Sequence, residues 1–244
     1  MIKSVIIVAP DDGGIRPVFG IPAVRRLVLI LKKLGFESIN IIGNIEPIEQ
    51  LLTDLIPSNC FHHADRADSA IKAAEELGSE YNERTLVMKA NLVIDRRSLA
   101  DFLEKEGEVR ATLFLTGAEG KVGDGAYLAL PDEVTDIFPL LWASASEKLA
   151  VPGYIQSFAS IDGLPCSLDG TAESAAVAEN RLVGALSAHT RADDGFMALH
   201  FDRHVSQFIS RRLAHLSVTP NQVTLIGMTI GLTAALLLSL HGYW

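Results

Sequence analysis

Cysteine is scarce in this chain. Of 244 residues only Cys60 and Cys166 are cysteines, far apart and with no Cys-x-x-Cys spacing. That excludes a disulfide scaffold and a thiolate metal knuckle, and leaves two free thiols in a reducing compartment. Positive charge is also short. Twenty-one Lys and Arg face 30 Asp and Glu, a formal net charge of −9, so the basic face a nucleic-acid binder needs is missing. The opening MIKSVIIVAP is no signal peptide, because its apolar run is short and Pro10, Asp11 and Asp12 follow at once. No Gly-x-Ser-x-Gly surrounds Ser157, and neither Asp162 nor Asp169 stands in a nucleophile context. Finally, no Asp, Glu, Lys or Arg occurs after Arg212.

What is present reads as strands alternating with helices. Ser4–Ala9 (SVIIVA) is a continuous β-branched run, the pattern of a strand buried on both faces. A loop with Pro10, Asp11, Asp12, Gly13 and Gly14 follows. Pro22 is placed to open a helix that runs through Leu34 and stops at Gly35. Ser38–Ile42, a short segment near Cys60–His62, and Thr85–Ala90 read as further strands. Glu46–Ile56, Ala67–Leu77 and Ser98–Glu106 read as helices. Arg110–Thr116 and Gly125–Leu130 read as strands paired antiparallel, and Thr171–Leu186 as an alanine-rich helix. The predicted class is therefore α/β, a mostly parallel sheet with helices on both faces. It spans residues 1–188 as a soluble domain.

The texture then changes. His189–Gly195 is polar and reads as a linker. From Arg203 to Leu216 the residues Val205, Phe208, Ile209, Leu213 and Leu216 recur at helical spacing, with Asp202 as N-cap. Arg212 projects from that apolar stripe. Its position beside an uncharged segment predicts an amphipathic helix on the membrane surface, the second segment, 189–218. Val223–Leu240 is an 18-residue apolar run followed by Tyr243 and Trp244. It predicts one transmembrane helix within 219–244. Arginines before the run and none after it place the N-terminal domain in the cytoplasm, on the inner face of the cell membrane. Gly227 and Gly231 form a Gly-x-x-x-Gly, compatible with close helix packing and a homodimer.

Two stretches resemble known families. Asp194–Leu240 resembles the entry into the first membrane helix of CDP-alcohol phosphatidyltransferases. The carrying features are the Asp194-Gly195 pair, the arginine-spaced surface helix, and TPNQVT at Thr219–Thr224 opening the span. The resemblance implies a phospholipid-biosynthesis enzyme that moves a phosphatidyl or phospho-alcohol group from a CDP-linked donor to a hydroxyl acceptor, releasing CMP. It also implies Mg²⁺ or Mn²⁺ held by an aspartate motif, DxxDGxxAR, which this sequence does not contain; the chain is read as the N-terminal portion of such an enzyme, with no catalytic residue or metal ligand of its own. Membrane lipids and the donor are the implied partners. Arg203, Arg211 and Arg212, with Asn221 at the mouth of the span, are candidates for holding a lipid or substrate phosphate, since guanidinium matches phosphate oxygens as a planar fork. The alternative is that these arginines only set topology.

Pro17–Gly43 (PVFGIPAVRRLVLILKKLGFESINIIG) resembles sugar-phosphate nucleotidyltransferases. That implies a nucleotidyltransferase or Rossmann-like domain whose glycine-rich loop cradles nucleotide phosphates, with Gly13, Gly14 and Arg16 as the nucleotide-binding candidates. Asp11 and Asp12 oppose a triphosphate there, no loop lysine precedes Pro17, and Lys89-Ala90-Asn91 stands where a metal-binding aspartate is expected, with Asp95 lying beyond the strand end. Two readings follow: a domain that keeps the fold without transfer, or a divergent active cytidylyltransferase. A tail-anchored binding or regulatory module is the third. His62, His63 and Asp65 make a poor metal site, because strand neighbours face opposite ways.

Overall fold

The computed structural model describes residues 4–78, 84–104, 112–116, 125–142, 155–159, 164–190 and 220–241. The chain divides into two compact units, Met1–Ala192 and Asp193–Trp244.

The first unit is built on a seven-stranded sheet. Its strands are β1 (Ser4–Ala9), β4 (Ser38–Gly43), β5 (Phe61–His63), β6 (Thr85–Lys89), β8 (Leu113–Thr116), β9 (Gly125–Ala129) and β10 (Gln156–Ala159), in the order β10-β8-β9-β6-β1-β4-β5. Pairing is parallel throughout except at β9, which runs antiparallel to both β6 and β8. The mostly parallel α/β class read from the sequence is therefore observed. Every residue of β1 is buried, as its unbroken apolar run requires.

Alternation along β1 divides the core into two faces. Val5, Ile7 and Ala9 join Val24, Leu27, Ile48, Leu52, Leu99 and Phe102 from α1 (Ala23–Lys33), α2 (Glu46–Leu52) and α4 (Arg96–Glu104). Ile6 and Val8 join Ala70, Ala74, Ile137 and Phe138 from α3 (Ala67–Gly78) and α5 (Val134–Trp142). A third, smaller cluster holds Val18, Val93, Leu164, Leu168, Ala178 and Leu182. It packs α6 (Ala172–Thr190) against two small ribbons, β2 (Pro17–Val18) with β3 (Ile21–Pro22), and β7 (Leu92–Val93) with β11 (Cys166–Ser167).

Several boundaries differ from the sequence reading. Pro22 stands as the N-cap of α1, one residue before the first helical position. It closes the β2–β3 hairpin, whose turn places Phe19 at φ 50° and Gly20 at φ 74°. Two consecutive left-handed residues give the turn the twist of its strands, and α1 begins at Ala23. Helix α2 ends at Leu52, short of Ile56. Helix α5 carries Pro139 inside it and was not read from the pattern.

In the second unit the described element is α7 (Pro220–His241), 22 residues with no Asp, Glu, Lys or Arg. Leu225, Ile226, Met228, Ile230, Leu232, Leu236, Leu237 and Leu238 are all more than half exposed. Thr229 and Thr233 donate their hydroxyls to the carbonyls of Leu225 and Thr229, one turn back. Among the described residues no helix is long and apolar enough to cross a membrane. The uninterrupted run of described side chains, from Thr224 to Ser239, is shorter than α7 itself. The transmembrane expectation is thus not established by the structure. Arg203, Arg211 and Arg212, and with them the surface helix, lie outside the described residues.

Candidate functional site

In open parallel sheets, ligands sit beyond the carboxyl ends of the strands. Here β1 and β6 end side by side, with Ala90 N–H donating to Val8 O at 2.8 Å. The chain leaving β1 forms a single 3-10 turn, Asp12–Ile15. Asp11 caps it: Oδ1 accepts from Gly13 N–H at 2.9 Å. Asp12 accepts from Asn44 Nδ2 at 3.0 Å, which ties the turn to the end of β4.

The turn lies very close to the segment after β6. A Cβ on Gly14 would meet Ala90 Cβ at 3.0 Å, and one on Gly13 would meet Asn91 Cβ at 2.9 Å and Leu168 O at 3.1 Å. Asn91 in turn is joined to Leu168 twice. Its Nδ2 donates to Leu168 O at 2.7 Å, and its carbonyl accepts from Leu168 N–H at 3.0 Å. The Asn91 Oδ1 is buried with no hydrogen-bond partner among the described residues.

Leu168 leads into the turn at Asp169 and Gly170 that starts α6, with Gly170 at φ 83°. Asp169 accepts from Thr171 N–H at 2.9 Å and from Thr171 Oγ1 at 2.6 Å. Hydrogen bonds from Ser174 and then Thr171 hold its carboxyl at about 2, below the ordinary 3.8. A cavity of about 500 Å³ opens between these two turns, lined by Asp11, Asp12, Gly13, Ile15, Arg16, Pro17, Asp169 and Gly170.

Of the residues read from the sequence, Gly13 and Arg16 line this cavity, and Gly14 is buried beneath it against Ala90. Asn221 is exposed in the first turn of α7. Lys89 is 5% exposed at the end of β6. Asp95 accepts from Arg97 N–H at 3.0 Å, and so serves the start of α4. His62 Nε2 lies 3.3 Å from Asn40 Oδ1, whereas His63 Nε2 pairs with Asp65 at 2.9 Å, so the two imidazoles have separate partners. Asp169 is the site residue sequence reading passed over. Its sequence signal was the Asp-x-Thr-x-x-Ser run before an alanine-rich helix, a capping pattern.

The carboxylates of Asp11, Asp12 and Asp169 each accept a hydrogen bond, and no group of three metal-ligating side chains occurs among the described residues. At the end of β6 the residues are Lys89 and Asn91, and neither is a carboxylate.

No family model matches the chain, and no curated protein matches it. Solved structures do. HddC from Yersinia pseudotuberculosis, complexed with GMP-PN, is 11% identical with a TM-score of 0.50, covering 73% of this chain and 99% of its own. The 4-diphosphocytidyl-2C-methyl-D-erythritol synthase from Anaerococcus prevotii is 10% identical with a TM-score of 0.50, covering 74% and 96%. The neighbours are nucleotidyltransferase-like, and at this identity the likeness shows the fold alone. The comparisons give no support to the CDP-alcohol phosphatidyltransferase resemblance of Asp194–Leu240 or to phospholipid biosynthesis.

Proposed function

We propose that the first unit is a nucleotidyltransferase-fold domain that serves as a binding or regulatory module and no longer transfers a nucleotidyl group. The observation that carries this reading is the lining of the cavity, three aspartates and one arginine. Nucleotidyl transfer requires a triphosphate to settle with its charge neutralised. Like charges lining the site oppose that. Arg16 alone provides one fork for several phosphate charges. The test is turnover of CTP with a panel of sugar and alcohol phosphates in the presence of Mg²⁺ or Mn²⁺, read as pyrophosphate release. Absence of release at ordinary enzyme rates of ~1 s⁻¹ or more supports the reading. Release at such rates supports the second reading, a divergent active cytidylyltransferase, which the fold and the retained Arg16 favour.

For the second unit we infer a membrane helix. The supporting features are the uncharged 22-residue α7, its exposed leucines and isoleucines, and two threonines whose hydroxyls are satisfied within the helix. In that setting the domain stands at the inner face of the membrane, with Arg203, Arg211, Arg212 and Asn221 available to a lipid or donor phosphate. Extraction of the full chain by alkaline carbonate would sink the membrane part of this proposal. Lipid-phosphate binding unchanged in Arg212→Lys would reduce the arginine to a topology signal.

A further inference from the structure

We propose that the hairpin Pro17–Pro22 is a strap at one wall of the cavity, that its closed position is strained, and that Glu179 on α6 is the latch that holds it closed.

The strap is hinged at its base. Arg16 O accepts from Ala23 N–H at 2.9 Å, which pins together the residues on either side of the hairpin, where the chain leaves the cavity loop and enters α1. Arg16 and Pro17 line the cavity on this side, and Asp169 and Gly170, just before α6, line it on the other. The strap meets α6 at two points. Val18 is fully buried in one cluster with Ala178 and Leu182. At the tip, Phe19 N–H donates to Glu179 Oε1 at 2.6 Å. Glu179 therefore ties the segment that follows one wall to the helix that follows the other.

The residue it holds has an unfavourable backbone. Phe19 stands at φ 50° and is followed by Gly20 at φ 74°. A hairpin turn with two left-handed residues selects Asn-Gly or Gly-Gly, because Asn and Gly enter that region at little cost. Phenylalanine pays a penalty of about 5- to 30-fold in population. A hydrogen bond to a carboxylate is worth about tenfold or more, so the two effects are of the same size and oppose each other. Strain of this kind persists only where the surroundings impose it, and it is one way a two-position element is built. Here the Glu179 side chain imposes it at the tip. With that bond gone, Phe19 relaxes to an ordinary backbone conformation, the pairing of Val18 with Ile21 is lost, and the strap swings on its Arg16–Ala23 hinge. Pro17 belongs to the strap, so the cavity wall is coupled to the latch.

Backbone hydrogen exchange of the full chain in detergent, read by mass spectrometry on a peptide containing Val18–Ile21, follows the strap directly. Glu179→Ala is expected to speed exchange there at least about tenfold and to leave β1 and β6 unchanged. Glu179→Asp keeps the charge but withdraws the oxygen by one methylene, and is expected to release the strap as well. Phe19→Asn removes the strain, since Asn-Gly suits this turn; combined with Glu179→Ala it is expected to return exchange to within about threefold of wild type. That cancellation distinguishes a latch from a merely structural bond, for which the two changes would add. Unchanged exchange in Glu179→Ala, or a double variant as fast as Glu179→Ala alone, would overturn the proposal. Should Glu179→Ala fail to fold, Glu179→Asp decides in its place: a rise confined to the strap supports the latch, and no rise overturns it. Turnover of CTP by wild type is a separate outcome. It removes the non-transferring reading of the domain, while the exchange pattern still reports on Glu179.

Discussion

Gly13 has no room for a side chain, and its neighbours cannot easily give way. Two of the three atoms a Cβ would meet are Asn91 Cβ and a backbone oxygen, and Asn91 is itself fastened to Leu168. Gly13→Ala is expected to destabilise the first unit by about 1–3 kcal/mol, the cost of overpacking; a lowered thermal midpoint checks it. Asp169 carries a pH dependence. Its carboxyl is depressed to about 2 from 3.8 by bonds from Ser174 and Thr171. A depressed value means folding favours the ionised form, so its contribution is complete above about 3.8 and is lost as pH falls through about 2. The stability gap between wild type and Asp169→Asn should therefore stay flat above that range and close toward its lower end. A gap that widened on acidification would contradict the assignment.

Elements differ in how far their sequence declares them. Strand β1 carries the continuous apolar run Val5–Ala9, and β4 and β6 carry the shorter runs Ile41-Ile42 and Leu86–Met88; such runs have little choice but burial between two layers of helix. Pro22 serves as both the end of β3 and the N-cap of α1, and the hairpin before it is set by the left-handed pair Phe19-Gly20, which no apolar pattern announces. Gly20→Ala is expected to cost roughly 1–2 kcal/mol, the penalty of a left-handed L-residue, measured as a fall in the thermal midpoint. Ribbon β7–β11 is two residues per strand and joins segments far apart in the chain, so no local pattern announces it. It is that ribbon, with Asn91 and Leu168, that brings Asp169 to the cavity. The loop half of the site was legible in Gly13, Gly14 and Arg16; the α6 half was set by tertiary pairing. For α7 the expectation is retention in the membrane pellet after carbonate washing, and its loss in Leu232→Arg, since a charge at a span's centre costs about 2.5–3.5 kcal/mol. Equal extraction of both would contradict a bilayer location.

Across the whole molecule, fold and chemistry separate. The fold is similar to that of nucleotidyltransferase-like structures at about one identical residue in ten. A fold can persist at that distance, since a face of a sheet accepts many apolar side chains of similar size. At the carboxyl ends of the strands Asp11, Asp12 and Asp169 line one cavity with Arg16. Function resides in that site and not in the fold. The most direct measurement is pyrophosphate release from CTP by the full chain, with Mg²⁺ or Mn²⁺ and a panel of sugar and alcohol phosphates. The account predicts no release above the protein-free rate with any acceptor. Sustained release at ~1 s⁻¹ or faster, abolished by Arg16→Ala, would contradict it.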